Sequence, residues 1–116
     1  MLGLSANLNY YLFNGNVDLR KGIFRLCESI REEMSLDPSD ASNIYMFMSR
    51  NRKVVKILHY ERGFYVLYEK CPVLGRFKKP VFDEVSRCYR IQWSDMAYLT
   101  ESIVVDRMYI TPENER

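Results

Sequence analysis

Apolar residues form two kinds of pattern along the first third of this chain: a short aromatic run and then a run at helical spacing. Residues 8–13 are aromatic and β-prone and stop at the turn signal Asn14-Gly15-Asn16, which predicts a first strand. The next segment carries apolar residues at helical spacing with charged residues between them. This pattern predicts an amphipathic helix over about residues 19–35, capped at its N-terminus by Asp18.

The middle of the chain reads as a β-meander. A polar loop over residues 37–42 is followed by three β-like segments at 43–50, 53–60 and 64–70. Residues 61–63, Glu-Arg-Gly, form a predicted three-residue hairpin loop with glycine in the left-handed conformation. Apolar residues occur at both parities of the 53–60 segment, so we expect this strand to be central and covered on each face.

The last third predicts shorter elements. Residues 76–82 suit an edge strand, because their proline removes a hydrogen-bond donor and their lysines discourage further pairing. A short strand follows at 88–92, and a last helix is expected near 94–102. We expect Ser94 to cap this helix, and one apolar face to contain Met96, Leu99 and Ile103.

The order of the elements is strand, helix, strand meander and helix, which predicts an α+β fold with an antiparallel sheet. One helix lies near the N-terminus and one short helix near the C-terminus. With 116 residues, of which 47% are hydrophobic and 28% charged, the chain suits one packed domain. We expect that domain to cover residues 1–110 and a polar tail to cover 111–116.

Composition narrows the class of protein further. No apolar run reaches the roughly 20 residues that a membrane span needs, and the opening lacks a signal-peptide pattern, so we expect a cytoplasmic protein without a membrane partner. Cys27, Cys71 and Cys88 are odd in number and widely spaced, which favours reduced side chains over a disulfide framework or a zinc site. The net charge of +2 does not by itself indicate a nucleic-acid binder.

Basic residues nevertheless cluster locally. In a meander, they would form a positive edge facing phosphate oxygens, with Tyr60, Tyr65 or Tyr68 nearby for stacking. The alternative is a set of ordinary solubilising charges at strand ends. The cluster consists of Arg50, Arg52, Lys53 and Lys56, with Arg76, Lys78 and Lys79 in the later segment.

A second basic candidate lies at the start of the first predicted helix. Arg20 and Lys21 stand next to the expected helix N-terminus, where they would grip a phosphate or a partner's carboxylate. Gly22 would then lie inside the first helical turn, at a cost of about 1 kcal/mol against alanine. Close approach of the helix to the sheet is the simpler explanation for that glycine.

Catalytic signals are absent from the sequence. Cleavage or strand transfer of the usual kind needs several carboxylates that converge on a metal ion. The candidate carboxylates form no recognisable pattern, and His59 is the only histidine, so paired histidine ligands within one chain are excluded. We therefore predict no catalytic residue, no metal site and no cofactor. The carboxylates considered were Asp18, Asp83, Glu84, Asp95 and Asp106.

Several segments, in order, resemble the TnpB-type accessory protein of IS-sixty-six-like bacterial insertion sequences. Residues 18–22, Asp-Leu-Arg-Lys-Gly, are similar to the Asp-Met-Arg-Lys-Gly signature at the start of that family's helix. The resemblance spans roughly residues 10–103 and is looser after Lys70, where Lys79 occupies a position often held by tryptophan. The other similar stretches are 44–47, 50–52, 56–58, 63–70 and 75–77, followed by Pro80.

The resemblance implies an accessory protein of DNA transposition. Such a protein would assist a separate transposase of the same element by binding that transposase, element DNA or both, without bond-making chemistry of its own. A protein–protein adaptor without nucleic-acid contact is the alternative, and it would need an exposed apolar patch. A metal-dependent nuclease is the third reading, and it would need a carboxylate cluster. The sequence is compatible with a monomer or a homodimer.

Overall fold

The computed structural model describes residues 5, 7–13, 18–20, 22–82 and 86–105. Lys21, Asp83, Glu84, Asp106 and the predicted tail 111–116 lie outside these residues. The elements in chain order are β1 (Asn9–Phe13), α1 (Ile23–Ser29) continued by a π-helical segment (Ile30–Met34), β2 (Asn43–Met48), β3 (Val55–Glu61), β4 (Phe64–Lys70), β5 (Arg76–Phe77), β6 (Cys88–Ile91), α2 (Trp93–Glu101) and β7 (Ile103–Val104).

Five of the strands form one sheet in the order β4-β3-β2-β1-β6. Strands β2, β3 and β4 are the predicted antiparallel meander, and β6 is antiparallel to β1. Strands β1 and β2 pair in parallel, which the sequence reading did not anticipate. Parallel neighbours need a crossover connection, and α1 supplies it across one face of the sheet. The predicted α+β single-domain fold is confirmed, with a mostly antiparallel sheet.

Both faces of the sheet are buried, each under one helix. On the α1 face the packed residues are Phe13, Tyr45, Phe47 and Leu58, with Leu26, Cys27 and Ile30 above them. On the α2 face they are Tyr10, Leu12, Ile44, Met46, Val55 and Ile57, beneath Phe77, Met96 and Leu99. Two covered faces explain why apolar residues occupy both parities of β2 and β3. Strand β3 is interior as expected, but the middle strand is β2.

The first helix begins later than predicted. Gly22 is its N-cap and Ile23 its first residue, so the expected cap at Asp18 is wrong. The Asp18 carboxylate instead accepts hydrogen bonds from the backbone and guanidinium of Arg20. A Cβ added at Gly22 would meet nothing within 4 Å, so the predicted close approach of helix to sheet at this glycine is also wrong. The helical segment ends at Ser35, whose φ of 54° is left-handed.

Two predicted elements near the C-terminus take another form. Only Arg76 and Phe77 of the predicted 76–82 strand are extended, and they pair with β7 in a separate two-stranded sheet. Helix α2 has Gln92 as its N-cap, which leaves Ser94 inside the first turn. Ile103 belongs to β7 and not to the apolar face of the helix. The predicted strand at 88–92 is confirmed as β6.

The hairpin between β3 and β4 is confirmed, with a tighter turn than expected. Glu61 pairs directly with Phe64, so the loop has two residues instead of three. Arg62 and Gly63 have φ values of 47° and 90°. Positive φ at both central positions is the signature of a type I′ turn, whose twist matches that of the flanking strands.

Candidate nucleic-acid interface

The turn between β2 and β3 presents the first basic group. The Ser49 hydroxyl oxygen accepts hydrogen bonds from the backbone N–H groups of Lys53 (3.1 Å) and Val54 (3.0 Å). Arg52 adopts a φ of 60°, and its N–H donates to the Ser49 carbonyl over 2.9 Å. These local bonds fix the turn, and the side chains of Arg50 and Lys53 are exposed on it.

Strand β5 brings the second basic group to this turn. Phe77 is buried in the α2-face core, and its N–H donates to the Arg52 carbonyl over 2.8 Å. Gly75 precedes this strand with a φ of 79°, and a Cβ there would collide with the Val104 carbonyl. The glycine therefore lets β5 lie against β7. We call the resulting surface, formed by Arg50, Arg52, Lys53, Arg76, Lys78 and Lys79, the basic end.

In the part of the chain that the structure describes, most cations of the basic end have no carboxylate beside them. Among the described residues, no carboxylate lies within 4.0 Å of the charged groups of Arg50, Arg52, Lys53 or Lys79. Cations without an internal partner keep their full attraction for an external anion. A polyanion would gain several contacts here at once.

Lys78 joins the basic end to an aromatic ring. Its Nζ donates to the Tyr98 hydroxyl over 2.9 Å and lies 5.3 Å from the ring centroid. The hydrogen bond from this cation lowers the pKa of Tyr98 from its ordinary value. Tyr98 is more than half exposed on α2. The sequence reading missed it, although an exposed aromatic at a helix position was the available signal.

Lys56 does not belong to the basic end. Its side chain is only 13% exposed and lies on the α1 face, 3.6 Å from Glu69. Its ammonium also donates to the Leu19 carbonyl. Because both contacts are internal, Lys56 ties the segment before α1 to the sheet and does not offer its charge to a ligand.

Arg20 is exposed but already paired. Its guanidinium makes two 3.0 Å hydrogen bonds to Asp18, and this pairing raises the pKa of Arg20. The contact between Leu19 and Lys56 places this segment on the α1 face, whereas β5 packs on the α2 face. Arg20 therefore does not join the basic end.

Two of the three tyrosines proposed for stacking lie away from the basic end. Tyr60 and Tyr65 flank the type I′ turn at the opposite end of the sheet, with ring centroids 5.2 Å apart in an edge-to-face arrangement. Tyr68 packs against the α2-face core. The meander sends Tyr60 and Tyr65 away from the β2–β3 turn, whereas Tyr68 lies near it, because its partner Ile57 is two residues from Val55 at the turn end of β3.

Groups that would support catalysis do not converge in the described part of the chain. It contains no group of three or more His, Cys, Asp or Glu side chains that could hold a metal ion. His59 is buried, with Nε2 3.0 Å from the Ala41 carbonyl oxygen and Nδ1 3.2 Å from Glu61, which fits a packed strand residue. Cys27, Cys71 and Cys88 are unpaired, and burial raises the pKa of the Cys27 and Cys88 thiols. None of the helices in the described ranges is long and apolar enough to cross a membrane.

Fold and surface together define a small α+β protein with a basic turn surface, a class suited to binding. The chain belongs to the family described as IS66 Orf2 like protein, whose model matches residues 8–109. That range contains every strand and helix of the fold. The resemblance seen in the sequence is confirmed, and the protein is a transposition-associated accessory protein. A search of curated proteins and a search of solved structures found no match.

Proposed function

We propose that this protein assists the transposase of its element by holding DNA through the basic end, without cleaving the DNA. The observation that carries the proposal is the 2.8 Å hydrogen bond from Phe77 to Arg52. It unites two basic groups that are separate in sequence into one surface. Membership of the family supports a role in transposition, and the exposed cations of the basic end support a contact with DNA.

The basic end is suited to binding the phosphate groups of a DNA backbone. Arginine and lysine side chains on a fixed turn neutralise backbone phosphates and release condensed counterions, which drives binding without sequence preference. Such contacts would position the protein on element DNA and leave cutting and joining to the transposase. Tyr98 beside Lys78 adds one ring that can stack on an unpaired base.

The salt dependence of DNA binding tests the proposal. Replacing Arg50, Arg52 and Lys53 by glutamine should flatten the log–log plot of affinity against salt by roughly three units, since each lost phosphate contact removes about 0.9. The affinity of both proteins for one duplex, measured by fluorescence anisotropy over a salt series, gives the two slopes.

A matched control carries the same change in net charge elsewhere. Arg25, Arg31 and Arg62 are exposed and lie away from the basic end, so replacing these three by glutamine should leave the slope nearly unchanged. Equal flattening in both triple variants would mean that overall charge, and not the basic end, binds DNA.

A protein–protein adaptor is the second candidate function. Phe24 on α1 is 74% exposed, and its ring meets Tyr65 edge to face with centroids 6.3 Å apart. A partner that covered this pair would remove apolar surface from water. Capture of the purified transposase by this protein without DNA, lost in Phe24→Ser and kept in the Arg50, Arg52 and Lys53 variant, would favour the adaptor.

A further inference from the structure

The two edges of the five-stranded sheet are unlike each other. Strand β6 has four residues and carries the exposed Arg90. Strand β4 has seven residues, Phe64–Lys70, with charge only at its last two positions. In the described part of the chain, β3 is its only strand neighbour. Long edge strands normally carry a proline, a bulge or a central charge against unwanted pairing, and β4 carries none of these.

The turn geometry decides which backbone groups of β4 face outward. In a hairpin with a two-residue turn, the residues that flank the turn exchange both hydrogen bonds, and the pairing alternates from there. Phe64 therefore turns its N–H and C=O toward β3, as do Val66, Tyr68 and Lys70. Tyr65, Leu67 and Glu69 turn theirs toward the open edge.

We propose that β4 pairs with the β4 strand of a second copy of this chain, antiparallel and centred on Leu67. This register pairs all three outward-facing residues, Leu67 with its own copy and Tyr65 with Glu69. Each of these pairs would exchange two backbone hydrogen bonds. A shift of the centre to Tyr68 or Val66 leaves one outward-facing residue without its partner.

Side chains favour the same register. Phe64, 72% exposed, lies opposite Lys70 of the second copy, so its ring can pack on the aliphatic chain of that lysine, whose ammonium donates to the Thr100 carbonyl and Glu101. Tyr65 lies opposite Glu69, whose carboxylate is about half exposed and can accept a hydrogen bond from the tyrosine hydroxyl. Val66 lies opposite Tyr68, and Leu67 continues the apolar layer of the α1 face. No like charges oppose each other, whereas centring on Glu69 would place two carboxylates together.

Self-complementarity is what selects a second copy over an unrelated strand. A strand of arbitrary sequence would satisfy the backbone groups equally well, but β4 against its own reversed sequence also places Leu67 on Leu67 in the α1-face layer and opposes no like charges. The proposal does not depend on DNA binding, because the β4 edge contains no residue of the basic end.

Disulfide trapping tests the register directly. At a hydrogen-bonded antiparallel pair the two Cα atoms are about 5.5 Å apart, within the range a disulfide spans. Leu67→Cys, in a full chain that also carries Cys71→Ser and Cys88→Ser, should therefore oxidise to a covalent dimer. Tyr65→Cys in the same background is the control: it lies on the same strand face, but its own copy is four residues away along the strand, beyond disulfide reach.

The expected result is a dimer band on non-reducing gels for Leu67→Cys and little for Tyr65→Cys. The protein with its native Leu67 should also show a concentration-dependent monomer–dimer equilibrium in sedimentation. Equal cross-linking of the two cysteine variants would overturn the register. A native protein that sediments as a monomer at every concentration, with neither variant cross-linked, would overturn the second copy as the occupant, whatever the DNA-binding result.

Discussion

Tyr45 shows how one buried hydroxyl ties the sheet to a loop. Its ring is fully buried on β2, and its hydroxyl donates to the Asp37 carbonyl over 2.9 Å while accepting from the Asn43 amide over 3.1 Å. Burial raises the pKa of Tyr45 to about 12, since the phenolate would lose its hydration.

This shift predicts an alkaline loss of stability. The unfolded chain releases the phenolic proton near pH 10 and the folded chain near 12, so in that interval the unfolded state binds fewer protons. The free energy of unfolding should fall as pH rises from about 10 to 12, by roughly 2–3 kcal/mol from this group. Urea unfolding at neutral pH and at several values above 10 measures the fall.

Tyr45→Phe is the control for that measurement. It should cost about 1–2 kcal/mol at neutral pH, because the Asp37 carbonyl and the Asn43 amide lose a partner. Above pH 10 its stability curve should be flatter than that of the native chain. Parallel curves for the two proteins would assign the alkaline loss to other groups.

Lys56 shows that residue type alone does not predict which side chains belong to the site. The sequence grouped it with Arg50, Arg52 and Lys53 because all four are basic and close together in sequence. Its side chain, however, occupies the α1 face, where a carbonyl 37 residues away in sequence and a carboxylate on β4 surround it. Residue type indicates that a cation is present, and only the fold decides whether it faces a ligand.

At the scale of elements, local sequence patterns predicted most strands but not the pairing of strands that are distant in sequence. The β-prone segments at 43–50, 53–60 and 64–70 and the turn at Gly63 indicated the meander from neighbouring residues alone. The parallel β1–β2 pair depends on a crossover that returns β2 to the side of β1, which no local pattern encodes. Apolar spacing matched the helical segment from Ile23 to Met34, and the error at its start came from treating Leu19 and Arg20 as helical.

Alanine substitutions at Gly63 and Gly75 test how tightly β5 packs against β7. Both glycines have positive φ, 90° at Gly63 and 79° at Gly75, so alanine at either should cost about 1–2 kcal/mol in backbone strain. A Cβ at Gly63 meets open space, whereas one at Gly75 collides with the backbone of Val104. Gly75→Ala should therefore cost about 1–3 kcal/mol more than Gly63→Ala.

Chemical denaturation of the two alanine variants measures this difference. The Gly75 variant should also bind DNA more weakly under conditions where it is fully folded, because displaced β5 no longer holds Lys78 and Lys79 beside the β2–β3 turn. Equal destabilisation by the two changes would mean that β5 and β7 separate without cost.

At the scale of the whole molecule, charge is distributed unevenly along the sheet. The basic end lies at the β2–β3 turn, whereas Asp37 and Asp40 lie in the loop that leads into the opposite end of β2. Hydrogen bonds from Ser39 and Ser42 lower the pKa of these two carboxyl groups, which keeps them charged in weak acid. The exposed Arg62 also lies at that opposite end, so its charge is mixed, whereas the basic end is a cluster of cations that would face a polyanion during encounter.

The proposed β4 pairing would fix the relative orientation of the two basic ends in a dimer. The β2–β3 turn lies beside the Lys70 end of β4, because Val55 pairs with both Met48 and Lys70. Antiparallel pairing reverses the second copy, so the two basic ends would point in opposite directions along the strands. A dimer of this form would hold two DNA segments apart at opposite ends of the strands of one continuous sheet.

This arrangement predicts that the dimer bridges two duplexes. Beads carrying one duplex should capture a second, labelled duplex in the presence of oxidised Leu67→Cys protein, in the background lacking Cys71 and Cys88, at concentrations where the reduced protein is dissociated. Reduction should abolish capture while leaving binding to a single duplex intact, because each basic end survives in the monomer. Adding the Arg50, Arg52 and Lys53 to glutamine changes to the oxidised dimer should weaken capture strongly, since each end then loses three of its phosphate contacts. If the oxidised and reduced proteins capture the second duplex equally well, each copy binds both duplexes by itself, and the opposed arrangement of basic ends has no part in bridging.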